Sequence, residues 1–291
     1  MAEAVEGFGL TCGFIDSRNM RALELEGDPR TPRLVVDGLV VDARSTVWLR
    51  RPWRRAVPLD VVDDRLRRFA EGEWRHALLG GIAATGCRVV NDPASELKAQ
   101  YKPWQLAVAT RVGLPTPTTC VTNRPATAER FREQMAGSGH RTVYKPLTPL
   151  EYHVGETREF LGLTDESRAS FEVAPVVLQQ CIEKGIDTRV FIAGASMTGA
   201  KVLSRHGELI DWRMDPAVSY EPWDVPVALE SRLRSLMEAL NLQTGSCDFR
   251  LDPGGSPYFL EVNPGGQFLF LEDALGAPLS VDLARLLSRR A

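Results

Sequence analysis

The stretch CDFRLDPGGSPYFLEVNPGGQ, from Cys247 to Gln267, sets two strand-like runs on either side of a glycine pair, with three polar residues placed among what otherwise reads as core. A two-residue turn at Gly254-Gly255, which such pairs favour, fixes the register of a hairpin. Asp248 then stands directly opposite Glu261. Opposed residues share a face, and so do residues two apart, so Asn263 joins Glu261 there. Leu260 and Val262 point the other way, which predicts one apolar and one polar side. Two opposed carboxylates repel and resist burial, so a positive charge is expected between them. Carboxylate and amide oxygens without His or Cys suit magnesium, which takes few protein ligands and fills its octahedron with water and phosphate oxygens. A solvated acidic hairpin is the competing reading of the same spacing.

Outward from this hairpin the chain alternates strand and helix patterns, with no internal repeat. Pro226 to Leu240 reads as a helix with Leu229, Leu233, Leu236 and Leu240 in register, and Val281 to Leu287 as a closing helix. Thr188 to Ala193 and Ala195 to Leu203 read as paired strands turning near Gly194. Further upstream, Arg141 to Pro146 and Val176 to Ile182 are strands bracketing a polar, irregular piece, Thr148 to Ser170, expected to act as a flap. GLPTPTTCVTN (113 to 123) is too rich in proline for a helix and should lead, extended, into a helix near Ala126 to Met135. A short helix near Ala94 to Tyr101 and another started by Pro103 and stopped by Gly113 precede it. Asn91, Asp92 and Pro93 mark a boundary. The first 95 residues read as a small α/β region, with short strands around Asp37-Gly38, another at Thr46 to Leu49, and a helix over Val61 to Thr85 with Val62, Leu66 and Phe69 on one face.

Composition narrows the classes. A net charge of −3 over 291 residues argues against a non-specific nucleic-acid binder. No apolar run reaches the roughly 18 residues of a membrane span, and the N-terminus lacks the pattern of a signal peptide, so a cytoplasmic protein without a membrane partner is expected. The 5 cysteines are odd in number and lack C-x-x-C spacing, which reads as reduced thiols. His76, His140, His153 and His206 stand at no ligand spacing; only His153, in the flap, merits a test.

Several pieces now occur together and in order: Lys102, GLPTPTT (113 to 119), VYKPL (143 to 147), LQQCIEKGIDTRVFIAG (178 to 194), DWR (211 to 213), CDFRL (247 to 251) and FLEVNPGGQ (259 to 267). In this order the chain resembles the ATP-grasp ligases over about Asn91 to Leu287. With VWLRRP (47 to 52) and VVNDP (89 to 93), it is similar more narrowly to the maturases that macrocyclise ribosomally made precursor peptides, the microviridin or graspetide type. The resemblance implies an α/β (α+β) fold of three parts: an N-terminal pre-ATP-grasp subdomain at 1–94, a central ATP-grasp subdomain with the flap at 95–177, and a C-terminal subdomain with the metal site at 178–291. Nucleotide would lie between the last two. The opening MAEAVEGFGLTCGFID (1 to 16) offers no clear long apolar strand of the kind usual in that family, so either the N-terminal part is trimmed or its start takes another form than this reading gives it.

The resemblance further implies ATP as cosubstrate and two Mg²⁺ ions held by Asp248, Glu261 and Asn263. Lys145 would contact nucleotide phosphates, and Lys102 likewise, with Lys98 nearby as an alternative and plain solvation as another. Gln179, Gln180, Cys181 and Ile182 would form the hinge holding adenine through backbone groups, and Glu183 or Asp187 would meet ribose hydroxyls; Asp187 could instead orient Arg189. Arg189 and Arg213 are the candidates for stabilising the transferring phosphoryl group, although Asp211 and Asp215 could neutralise Arg213 in a structural pair. Lys201 and Arg205 would add to the same field. RRPWRR (50 to 55) is either a solvated face or a surface for an acidic peptide. The implied reaction activates Asp or Glu side chains of the precursor as acyl phosphates and closes ω-ester or ω-amide rings. The partner would be a leader followed by an acidic, Thr-rich core. An intermolecular carboxylate–amine ligase and a silent nucleotide- and peptide-binding scaffold are the alternatives, and pairing as a homodimer is left open.

Overall fold

The computed structural model of the chain describes residues 1–50, 63–148, 157–183, 185–204 and 210–289. The N-terminal part comprises α1 (Ala2–Glu6), β1 (Leu23–Glu26), β2 (Arg33–Val36), β3 (Leu39–Val41), β4 (Thr46–Trp48), α2 (Asp64–Thr85) and β5 (Arg88–Val90). Strands β1, β2 and β3 form an antiparallel sheet, and β2 turns into β3 through Asp37 and Gly38, both at positive φ. Strands β4 and β5 pair in parallel, and α2 crosses between them. Asp63 caps α2 by accepting from the amides of Arg65 and Leu66. Its buried stripe is Leu78, Gly81 and Ile82, and it packs with Leu34 and Val36. The face predicted at Leu66 and Phe69 is exposed instead, at 60% and 65%. Val62 lies outside the described residues. The opening residues form no strand: after α1, which seats Val5 in the interior, the next strand is β1.

The middle of the chain holds α3 (Pro93–Ala99), α4 (Lys102–Arg111), β6 (Thr119–Thr122), α5 (Pro125–Gly137), β7 (Thr142–Lys145), β8 (Arg158–Glu159), α6 (Asp165–Val173) and β9 (Val176–Gln180). The sheet order β6-β9-β7-β8 places β9 at the centre. Part of the expected flap is regular structure: β8 pairs with β7, and α6 starts in a capping box between Thr164 and Ser167. His153 falls outside the described residues.

The last part is an antiparallel sheet in the order β12-β11-β10-β13-β14, built from β10 (Ile186–Ala193), β11 (Ser196–Leu203), β12 (Ser219–Trp223), β13 (Thr244–Leu251) and β14 (Pro257–Asn263). Helices α7 (Val227–Ala239), α8 (Leu269–Leu275) and α9 (Leu279–Ser288) cover it. Alternation along the strands sorts its two faces. Val190, Ile192, Cys247, Phe249, Phe259 and Val262 join residues of α4 and α7 in the largest core cluster. On the other face Phe191 stacks on Phe268, with ring centroids 4.5 Å apart, among residues of α8 and α9.

The N-terminal part is tied to this last sheet. Asn91 is buried at 1% exposure, its Oδ1 accepting from the amides of Gln243 and Thr244 and its Nδ2 donating to the Thr244 carbonyl. Asn91, at the boundary read from the sequence, is thus buried against the last sheet. No helix among the described residues is long and apolar enough to cross a membrane.

Candidate active site

The hairpin that opened the sequence reading reaches its register by a different route. Near the turn Leu251 pairs with Pro257, Arg250 with Tyr258 and Phe249 with Phe259, one step away from the expected pairing. The loop is longer than a two-residue turn: the Asp252 amide donates to the Ser256 carbonyl, and Gly255 adopts φ +83°. Pro253 cannot donate and Asp252 accepts from the Ser256 amide, which favours this wider loop. A bulge at Asp248/Phe249 then leaves Leu260 unpaired and sets Asp248 opposite Glu261. The same bulge lets Phe259 and Val262, three apart, share one core. Leu260 is thus the extra residue rather than one of an apolar pair.

On the polar face Asn263 donates from Nδ2 to Asp248 at 3.1 Å and to Glu261 at 3.3 Å. The positive charge expected between the carboxylates comes first from the protein. Arg189, directly across from Asp248 on β10, grips it bidentately at 2.6 and 2.7 Å. Lys102, in the first turn of α4, pairs with Glu261. Burial pushes the Glu261 pKa up, but Lys102, Lys145 and Arg213 outweigh it and hold the carboxyl well below the usual range.

Lys145, at the end of β7, brings the middle sheet to this cluster. It is 9% exposed, and burial lowers its pKa from 10.5 to about 8 against the opposing pull of Glu261. Arg189 lies over two rings, its guanidinium 5.4 Å from the centre of Trp212 and 5.8 Å from that of Phe270. Arg213, on a short 3₁₀ turn at Trp212–Met214, grips Asp211 at 2.8 and 2.7 Å while remaining 40% exposed. Asp211 also accepts from the Thr157 amide, and Asp215 accepts from the Ala217 amide.

Asp187 faces Arg250, 3.6 Å away, on the face that carries Arg189. Burial raises its pKa to about 6, against the pull of Arg250. Gln179 is buried with its amide on the Thr119 hydroxyl, and Gln180 receives the Thr118 amide, so both side chains serve the sheet. Cys181 and Ile182 are buried at the start of the connection from β9 to β10, and burial raises the Cys181 thiol to about 11. Glu183 is held bidentately by Arg141 at 2.7 Å.

Lys201 corrects the sequence reading. It pairs with Thr188 on one side and Glu221 on the other, on the face opposite Arg189, because residues an odd number apart along a strand point to opposite sides. Arg205 and the arginines at 51, 54 and 55 lie outside the described residues.

Among the described residues no group of three or more His, Cys, Asp and Glu is placed to hold a metal. The set here is two carboxylates and an amide. Its hard oxygen donors fit magnesium, and an amide presents its oxygen or its nitrogen by rotating. Sequence reasoning did not single out Gln105 or Phe270, and it read Asn91 only as part of a boundary and of the VVNDP motif. Gln105 carried a signal, a glutamine at the helical spacing of the buried Val108 and Ala109.

Two α+β layers meet over paired carboxylates, lysines and arginines, and the chain has the fold of the ATP-grasp ligases. Within that class it is similar to peptide macrocyclases. Macrocyclase MdnC of Microcystis aeruginosa MRC, bound with precursor peptide MdnA, matches with a TM-score of 0.82 at 26% identity, over 98% of this chain and 93% of that one. Macrocyclase MdnB of the same organism matches at 0.81 and 27%, over 99% and 94%. The ATP-grasp ligase PsnB, complexed with minimal precursor, Mg and ADP, shares the fold at 0.76 and 21%, over 98% and 91%. No protein-family model and no curated protein matches the sequence.

Proposed function

We propose that the protein is an ATP-dependent macrocyclase acting on a precursor peptide, with a leader and an acidic, Thr-rich core. The observation that carries this reading is the convergence of Lys102, Lys145, Arg189 and Arg213 on the opposed pair Asp248 and Glu261. Asp248, Glu261 and Asn263 would hold two Mg²⁺ ions, which when bound offset the negative charge of the nucleotide phosphates. Lys145 and Lys102 bind phosphate oxygens, and the backbone at Cys181 and Ile182 receives adenine.

A side-chain carboxylate of the peptide attacks the γ-phosphorus, ADP leaves, and an acyl phosphate results. A Thr or Ser hydroxyl of the same peptide then attacks the acyl carbon and loses its proton as inorganic phosphate departs, closing an ω-ester; a lysine amine would give an ω-amide. No protein nucleophile takes part. Arg189, fixed by Asp248 and two rings, and the more exposed Arg213 stabilise the charge that spreads over the phosphoryl oxygens, and cost little reorganisation because both are already oriented.

The test is mass spectrometry after incubation with Mg-ATP and an acidic, Thr-rich peptide preceded by its leader. Loss of one water per ring supports the reading. A gain in peptide mass would instead indicate intermolecular ligation, and nucleotide binding without any turnover would indicate a scaffold.

A further inference from the structure

Gln105 lies on α4 at 3% exposure, within the core between that helix and the last sheet. Its Oε1 accepts from the Val262 amide at 3.0 Å, and its Nε2 donates to the Val262 carbonyl at 2.8 Å and to the Ala99 carbonyl. Among the described residues β14 ends the sheet, and no further strand there pairs with these Val262 groups. One side-chain amide thus replaces a missing strand at a single residue. That residue stands between Glu261 and Asn263.

The arrangement has a consequence for the metal donors. A strand edge held by a helix at its outer groups can neither twist nor slip locally, and the side chains before and after the held residue inherit that rigidity. The core side of Val262 is packed at 1% exposure, so the polar side, with Glu261 and Asn263, keeps one setting. One turn before Gln105, on the same helix, Lys102 pairs with Glu261.

We infer that Gln105 is a positioning residue for magnesium: by bonding both backbone groups of Val262 it holds Glu261 and Asn263 in the spacing the cation needs. This rests on the reading of Asp248, Glu261 and Asn263 as the magnesium donors. Residues that orient metal ligands from behind change metal affinity by about 10- to 100-fold when lost.

The test is calorimetric titration of ADP into the full chain over a series of magnesium concentrations, for wild type, Gln105→Leu and Gln105→Glu. Leucine removes all three hydrogen bonds, whereas glutamate keeps the acceptor and loses both donor bonds. The magnesium concentration for half-maximal ADP uptake is expected to rise about tenfold or more in both variants. Uptake of ADP without magnesium should stay within about twofold of wild type. A lower melting temperature with an unchanged magnesium requirement in the folded variants would make Gln105 a structural clamp only and overturn the inference. If Gln105→Leu does not fold, Gln105→Glu decides by the same readout. Wild-type protein that takes up ADP with no dependence on magnesium would overturn the donor assignment itself, a result distinct from either variant's.

Discussion

Lys145 makes the most direct quantitative prediction. Its ammonium is buried at the junction of the two sheets, and burial lowers its pKa from 10.5 to about 8, with Glu261 pulling the other way. In the nucleotide-free protein this lysine is therefore about half neutral at pH 8. A phosphate set against it favours the charged form, so nucleotide uptake draws a proton from solution. The apparent affinity scales with the protonated fraction, which falls from about three-quarters at pH 7.5 to about one in thirty at pH 9.5. ADP binding in magnesium buffer should weaken about 25-fold over that interval, or about 2 kcal/mol. Calorimetry in buffers of different ionisation enthalpy measures both the affinity and the proton taken up. Lys145→Arg should flatten the profile, because guanidinium stays charged. Stability responds with the opposite sign: between about pH 8 and 10.5 the unfolded chain binds more protons than the folded one, so folding strengthens as pH rises, by up to about 3 kcal/mol. Equal ADP affinity at pH 7.5 and 9.5, or the same slope in Lys145→Met, would refute the reasoning.

Three further outcomes are expected. Glu261→Gln should abolish ATP turnover and, by leaving Lys102 and Lys145 without their carboxylate, lower stability by about 3 kcal/mol in urea denaturation. Arg189→Lys should keep the fold and reduce ATP turnover about 100-fold, since an ammonium cannot reproduce the bidentate grip on Asp248 or the planar cation's contacts with Trp212 and Phe270. Asn91→Ala should cost about 3 kcal/mol of stability, because it strips partners from the part-buried Gln243 amide and from the buried amide and carbonyl of Thr244.

Much of the architecture was open to reading one element at a time. The register of Leu229, Leu233, Leu236 and Leu240 marked α7, and all four are buried. The Asp37-Gly38 pair marked the turn from β2 to β3 because only residues tolerant of positive φ suit it. Errors came where a pattern had two solutions. Leu66 and Phe69 keep helical spacing, yet that end of α2 is exposed, and spacing alone does not say which stripe finds a partner. At the site, the facing of Asp248 and Glu261 was read from a two-residue turn that proved too short, and it holds because a bulge restores the pairing.

The sequence by itself determined which chemistries were present: two carboxylates and an amide close together on paired strands, and lysines and arginines in a characteristic order. Those are local facts, carried by residue type and by the two-residue period of a strand. Only the tertiary structure decided who partners whom. Arg189 meets Asp248 because β10 lies beside β13, Lys102 meets Glu261 because α4 packs along β14, and Lys201 is excluded by the register of β10 against β11. Such pairings join positions far apart in the chain, so they follow from sheet order and helix packing, which no local pattern encodes.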